Sequence, residues 1–145
     1  MATTTATITI SSDIMSYGAS INKTMTMKKL QSCTGLEETS GLRTKKFAAV
    51  TETVVVEEDE FTNTKASKVY MRNTSSDKAH YFYVAKHASA AAAATDAETI
   101  GKLYGGDWML MPYDGNVNIT VASNTTDTQY LEYMVFADGV VTAAG

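Results

Sequence analysis

At 145 residues, with a formal charge of −4 and only 19% charged residues, the chain is the size of one domain, able to bury roughly 68–70% of the surface its unfolded form exposes. The negative balance argues against nucleic-acid binding by phosphate neutralisation, which needs a basic face, although Lys28, Lys29, Arg43, Lys45 and Lys46 make the first third locally basic. Cys33 is the single cysteine, so there is no internal disulfide. One thiol with two histidines does not complete a four-ligand zinc site, and no apolar run reaches the ~18–20 residues of a membrane-spanning helix.

Thr, Val, Ile and Tyr are frequent and favour pleated, half-buried backbone, so the composition leans to an all-β fold. Residues 3–10 alternate Thr or Ala with Ile and predict a first strand, with Ile8 and Ile10 inward. The segment lacks a basic stretch followed by an apolar one, so the expectation is a product made in a cytoplasm. Residues 21–30 carry Ile21, Met25, Met27 and Leu30, which fit a strand or an irregular helix; the Thr-Met alternation favours the strand. SCTGLEETSGLRT (32–44) has two glycines and no periodicity and reads as a long loop. Together these segments suggest an arm reaching a neighbouring subunit. The expected organisation is one domain: 1–46 as N-terminal strands and extended arm, 47–139 as the core, and 140–145 as a tail.

The next strand region, 47–56, centres on Val54, Val55 and Val56 and runs into Glu57, Glu58, Asp59 and Glu60. Contiguous carboxylates point in opposite directions, whereas calcium loops space their ligands around a glycine. The run is therefore read as a solvated turn or a salt-bridging contact. Residues 66–73 put Val69 and Met71 on one face and Tyr70 on the other. A turn follows at 74–77, and then His80, Phe82 and Val84 alternate with Tyr81 and Tyr83. His80 and His87 lack metal-ligand spacing, and a lone strand histidine is usually structural. The alanine-rich stretch 88–99 predicts one or two helical turns, or an Ala-lined loop, between two strands.

DWMLMPY (107–113) is a short apolar run ending at Pro112, which fits a strand end or an edge. Trp108 is expected as a core anchor, with a stacking platform as the sharper alternative. Asp114-Gly115 supplies a turn. Val117, Ile119 and Val121 alternate with polar or small residues. After a polar loop, Leu131, Tyr133 and Val135 alternate with Tyr130, Glu132, Met134 and Phe136. These two runs predict an antiparallel hairpin. The second strand is apolar on both faces, as is the Tyr81–Tyr83 segment, and a second apolar face in a small domain is one that another subunit can cover. Tyr81, Tyr83, Tyr130, Met134 and Phe136 are thus the candidate interface residues, because Tyr, Phe and Met are enriched at interface cores. Phosphate-loop, HExxH and GxSxG patterns are absent, and Cys33 has no histidine nearby in sequence. The expectation is a protein that is not an enzyme, needs no cofactor or metal, and engages neither nucleic acid nor membrane.

The block 68–138 resembles the small β-sandwich structural proteins of tailed bacteriophages, particularly those of marine and cyanobacterial hosts. VYMRNTSS, HYFYVAK, GGDWMLMPYDG and NVNITVASNTTDTQYLEYMVFAD carry the resemblance. It implies a jelly-roll-like antiparallel β-sandwich within a virion assembled in the host cytoplasm. It also implies a homo-oligomer or a partner of the major capsid protein, acting as a decoration (cement) subunit or as a neck or tail component. A carbohydrate-binding sandwich using Trp108, Tyr104 and Tyr113 as stacking rings is the alternative from a different class.

Overall fold

The structure, a computed structural model, describes residues 4–10, 21–27, 36–58, 60, 65–87, 99–113 and 115–140. The described residues form eleven strands: β1 (Thr4–Ile10), β2 (Ile21–Met27), β3 (Leu36–Thr39), β4 (Arg43–Phe47), β5 (Thr53–Val56), β6 (Lys65–Asn73), β7 (Tyr81–His87), β8 (Thr99–Tyr104), β9 (Trp108–Tyr113), β10 (Asn118–Ser123) and β11 (Gln129–Val140). β1 and β2 pair antiparallel along their length, from Thr4 with Met27 to Ile10 with Ile21, as a two-stranded sheet of their own. Of the alanine-rich stretch 88–99, expected to form helical turns or a loop, only Thr99 is described, as the first residue of β8; residues 88–98 and Cys33 lie outside the described residues.

The other strands form two antiparallel sheets packed face to face. One has the order β5-β10-β7-β8. The other has the order β3-β11-β6-β9, with β4 also on β11. The pairing has a simple rule: β4 joins β11, β5 joins β10, β6 joins β9 and β7 joins β8, all antiparallel. The chain is thus one long ribbon, out through β7 and back from β8, rolled so that successive pairs fall in alternate sheets. That is a jelly roll: the all-β class is the one the composition predicts, and the sandwich is the one the resemblance implies.

Period-2 alternation fills the space between the sheets. Leu131, Tyr133, Val135 and Ala137 of β11 face inward with Val69 and Met71 of β6 and Tyr113 of β9. Phe82 and Val84 of β7, Ile119 and Val121 of β10, and Val56 of β5 come from the opposite sheet. Phe47 of β4 and Phe82 meet between the layers at 5.0 Å, tilted by 57°. Each such side chain contributes about 1.5–3 kcal/mol by leaving water. β10 is buried at every position, because its outward residues (Asn118, Thr120 and Ala122) are small and sit in a strand flanked on both sides.

Two expectations need correction. The runs at 117–121 and 130–136 do not form a hairpin: β10 pairs with β5 and β7, and β11 pairs with β3, β4 and β6 in the other sheet. The polar loop between them is an arch. Asn124 fixes its near end, giving its backbone N–H to the Tyr81 carbonyl and accepting the Tyr81 N–H on its side-chain oxygen (2.9 Å). Gln129 at the far end donates to the Ser123 hydroxyl at 2.8 Å. A polar loop of this length serves either connection, and side-chain alternation does not say which sheet a strand joins.

The second correction concerns residues 36–46, which belong to the sandwich and not to an arm. β3 and β4 lie end to end along β11, against Phe136–Asp138 and Gln129–Tyr133 respectively. Between them Ser40 gives its N–H to the Val135 carbonyl (3.0 Å) and its hydroxyl oxygen accepts the Val135 N–H (2.9 Å), while Gly41 takes φ +68°. The segment looks loop-like because it forms a sheet edge, where charged and polar side chains face water. Arg43 pairs with Glu60, so part of the acidic run does make the salt-bridging contact expected of it.

Candidate binding surfaces

The β6–β7 and β8–β9 connections are locked together at one end of the sandwich, and this lock positions the surfaces beside it. Asn73 closes β6 and is fully buried. Its side-chain amide donates to the carbonyls of Leu103 in the opposite sheet (3.0 Å) and of His80 at the end of the β6–β7 connection (3.2 Å). Its side-chain oxygen accepts the Ser75 N–H, and its backbone exchanges bonds with Asp107 and Gly106. Gly105 fits against this knot with no room to spare: a Cβ there would lie 2.2 Å from the Asp77 carbonyl oxygen and 2.9 Å from that of Ser75. Gly106 takes φ +83° to complete the turn, and the Lys78 ammonium bonds the Gly105 carbonyl. Thr74 caps the neighbouring strand through its hydroxyl on the Tyr130 carbonyl (3.0 Å).

His80 stands beside the lock as a structural clasp. Its Nδ1 lies 3.3 Å from the Ser75 hydroxyl, and its Nε2 lies 3.7 Å from the Asp77 carboxylate and 3.6 Å from that of Asp127. The Ser75 hydroxyl oxygen accepts the Asp77 N–H of its own turn. The grouping brings the β6–β7 loop beside the β10–β11 arch. Among the described residues no group of His, Cys, Asp and Glu is arranged to hold a metal.

The outer face of the five-stranded sheet is the first candidate surface. Leu110, Tyr70 and Met134 lie in one row across β9, β6 and β11, all half-buried. The next row places Trp108, Arg72 and Glu132 side by side, with the Arg72–Glu132 ion pair at 3.7 Å. Tyr130, opposite Lys46, is 45% exposed. Phe136 departs from the expectation: it belongs to this outward set yet retains 7% exposure, so the chain itself already covers it.

Tyr81 and Tyr83 stand on the outer face of the four-stranded sheet, since Phe82 and Val84 between them point inward. Their hydroxyls are 3.1 Å apart and their rings meet edge-on at 5.1 Å. Tyr104 approaches Tyr81 at 5.0 Å, and the Lys102 ammonium sits over both rings, 4.9 Å from Tyr81 and 5.2 Å from Tyr83. Such cation–π contacts hold a lysine in place on an exposed surface. The Tyr81 phenol is held above the ordinary tyrosine value by its bond to Tyr83 and by desolvation, against the Lys102 charge that lowers it.

Trp108 is not a core anchor. It is 44% exposed at the outer corner of β9, its ring 6.4 Å from that of Tyr70. The anchoring role falls to Tyr113 at the strand's other end, which is 6% exposed with its hydroxyl against the carbonyls of Val117 (3.0 Å) and Glu57 (3.1 Å). The stacking trio of Trp108, Tyr104 and Tyr113 therefore does not exist as such, because Tyr113 is inside. Beside Trp108 the edges of β8 and β9 enclose a groove of about 480 Å³. No single sequence motif marked this groove. Its legible traces were the stacking-platform alternative for Trp108 and the edge character that Pro112 gives to β9.

Comparison with known family models, with curated proteins and with solved structures found no match.

Proposed function

We propose that the protein is a non-enzymatic structural subunit of a bacteriophage particle, a decoration subunit that clamps neighbouring major capsid subunits. The observation that carries this reading is the outer face of the five-stranded sheet. There Tyr70, Leu110 and Met134 form an aromatic and aliphatic row, with Tyr130 beyond the Arg72–Glu132 pair and with Lys68 and Lys46 at the margins. An apolar patch rimmed by charge is what a partner surface covers, and a standard specific interface needs ~800 Å² from each side. A packed sandwich holds that face in place, so little ordering cost opposes association. The Tyr81–Tyr83–Tyr104 cluster on the opposite face offers a second contact, as a subunit bridging two neighbours requires.

The test is binding to particles. Purified protein should co-sediment with capsids that lack it, and a Tyr130→Ser/Met134→Lys double variant should lose that binding while keeping its melting temperature. A protein that stays monomeric and never associates with particles would sink the reading. Rings of six or twelve copies would assign it instead to the neck or tail.

A further inference from the structure

We propose that the groove between the edges of β8 and β9 binds a short, uncharged glycan, with Trp108 as the platform for a sugar ring. The inference does not rest on the assembly reading, although Trp108 and Lys102 border the two surfaces which that reading uses. Four features of the groove point the same way.

Trp108 is the chain's single tryptophan and nearly half of it stands open, beside a concavity lined also by Ile100, Gly101, Lys102, Asp107 and Met109. A groove of about 480 Å³ is within the roughly 300–1,000 Å³ range of small-ligand sites. Its lining mixes apolar residues with Asp107 and Lys102. A pyranose has the matching duality, an apolar C–H face for an indole and a rim of hydroxyls for charged or polar groups.

The floor is bare although packing does not demand it. A Cβ on Gly101 would meet nothing within 4 Å, and the residue is outside the left-handed region. A Cβ therefore fits there sterically, at a position that lines the groove. Directly before it, the β7–β8 register slips between Val84 opposite Gly101 and Ala85 opposite Thr99. This bulge leaves Ile100 unpaired and turned outward at 47% exposure. Bulges re-aim side chains and occur next to functional sites.

The polar groups are held ready. One Asp107 carboxylate oxygen accepts the Tyr104 N–H (3.1 Å), and the other is 3.7 Å from the Lys78 ammonium. Lys102 is steadied over Tyr81 and Tyr83. Hydroxyl-bearing ligands need such fixed acceptors and donors, because mobile ones cost binding energy to order.

Two competing occupants fit less well. An added peptide strand needs a free ladder edge, but β8 carries the bulge and Lys102, and β9 carries Pro112 without an amide hydrogen. A nucleic acid needs phosphate neutralisation, which a chain of charge −4 with Asp107 in the groove opposes.

The experiment uses the full chain on an array of neutral and acidic oligosaccharides and of peptides, together with fluorescence excited at the red edge where tyrosine no longer absorbs, which reports the single Trp108. Neutral oligosaccharides should bind and shift that emission. Trp108→Ala should weaken array binding at least tenfold. Gly101→Val should do the same while leaving the emission of the unliganded protein and the melting temperature unchanged, which keeps the test valid if the Trp108 variant folds poorly. Tyr130→Ser/Met134→Lys should bind glycan normally, so failure of the assembly reading and failure of this one are separable. No neutral glycan bound, binding only to acidic glycans or peptides, or binding indifferent to Gly101→Val would each overturn the proposal.

Discussion

The two ends of β9 are five residues apart, both aromatic, and opposite in every respect that matters. Tyr113 points between the sheets, where its ring is enclosed and its hydroxyl meets two backbone carbonyls. Trp108 points outward, where its ring touches Tyr70 and borders an open groove. The larger and more apolar ring is the exposed one. Parity along the strand, and not side-chain size, decides the matter: Met109, Met111 and Tyr113 share the inner face, and Trp108, Leu110 and Pro112 the outer. An exposed tryptophan on an otherwise well-filled sandwich then reads as surface set aside for binding.

What fixes that parity is the turn before Trp108, so the largest effect should come from breaking it. In Gly105→Ala the new methyl would meet the backbone oxygens of Asp77 and Ser75, which belong to a turn and cannot rotate away. We expect a loss of more than about 4 kcal/mol, or failure to fold, read by urea unfolding with far-ultraviolet circular dichroism. Gly101→Ala, where the space is open, should stay within about 0.5 kcal/mol of the parent in the same experiment. Equal behaviour of the two would dissolve the argument. Next in size is Asn73→Ala, which strands the buried carbonyl of Leu103 and frees the Ser75 turn. A cost of about 2–4 kcal/mol is expected from a buried polar network left half-satisfied.

These residues also mark how far the sequence could be read. Alternation in 69–71, 82–84, 119–121 and 131–135 identified the inner faces correctly, because each run pairs apolar with polar or at least distinguishable neighbours. DWMLMPY gave no such contrast: every side chain but Asp107 is apolar or aromatic, on both parities, so nothing local told Trp108 from Tyr113. The pairing of strands was illegible for another reason. Whether 130–136 returns beside 117–121 or crosses to the other sheet depends on Asn124 bonding Tyr81, a contact 43 residues away in the chain. The edge strands β3 and β4 were hidden because an edge looks polar, like a loop. Of the candidate surfaces, Tyr81, Tyr83, Tyr130 and Met134 were legible as second apolar faces. The groove was not, since it arises only where two edges from different sheets meet.

The smallest effects sharpen the comparison most directly. Tyr113→Phe removes one hydroxyl from a closed site and leaves the carbonyls of Glu57 and Val117 without it, so a destabilisation of about 1–2 kcal/mol is expected. Trp108→Phe removes more atoms, yet from a half-exposed corner, and should cost about 0.5 kcal/mol or less. Thermal unfolding of both variants beside the parent checks the order, and a Trp108 variant less stable than the Tyr113 one would return the tryptophan to an anchoring role. Tyr130→Ser comes last. Its ring is 45% exposed and lies across from Lys46 on the rim of the apolar face, so its removal should leave the unfolding midpoint within about 0.5 kcal/mol of the parent. A side chain that costs so little to lose from the isolated fold, and much to lose from particle binding, is one whose burial lies outside its own chain. The same variant measured both ways therefore separates a surface kept for a partner from one merely tolerated by the fold.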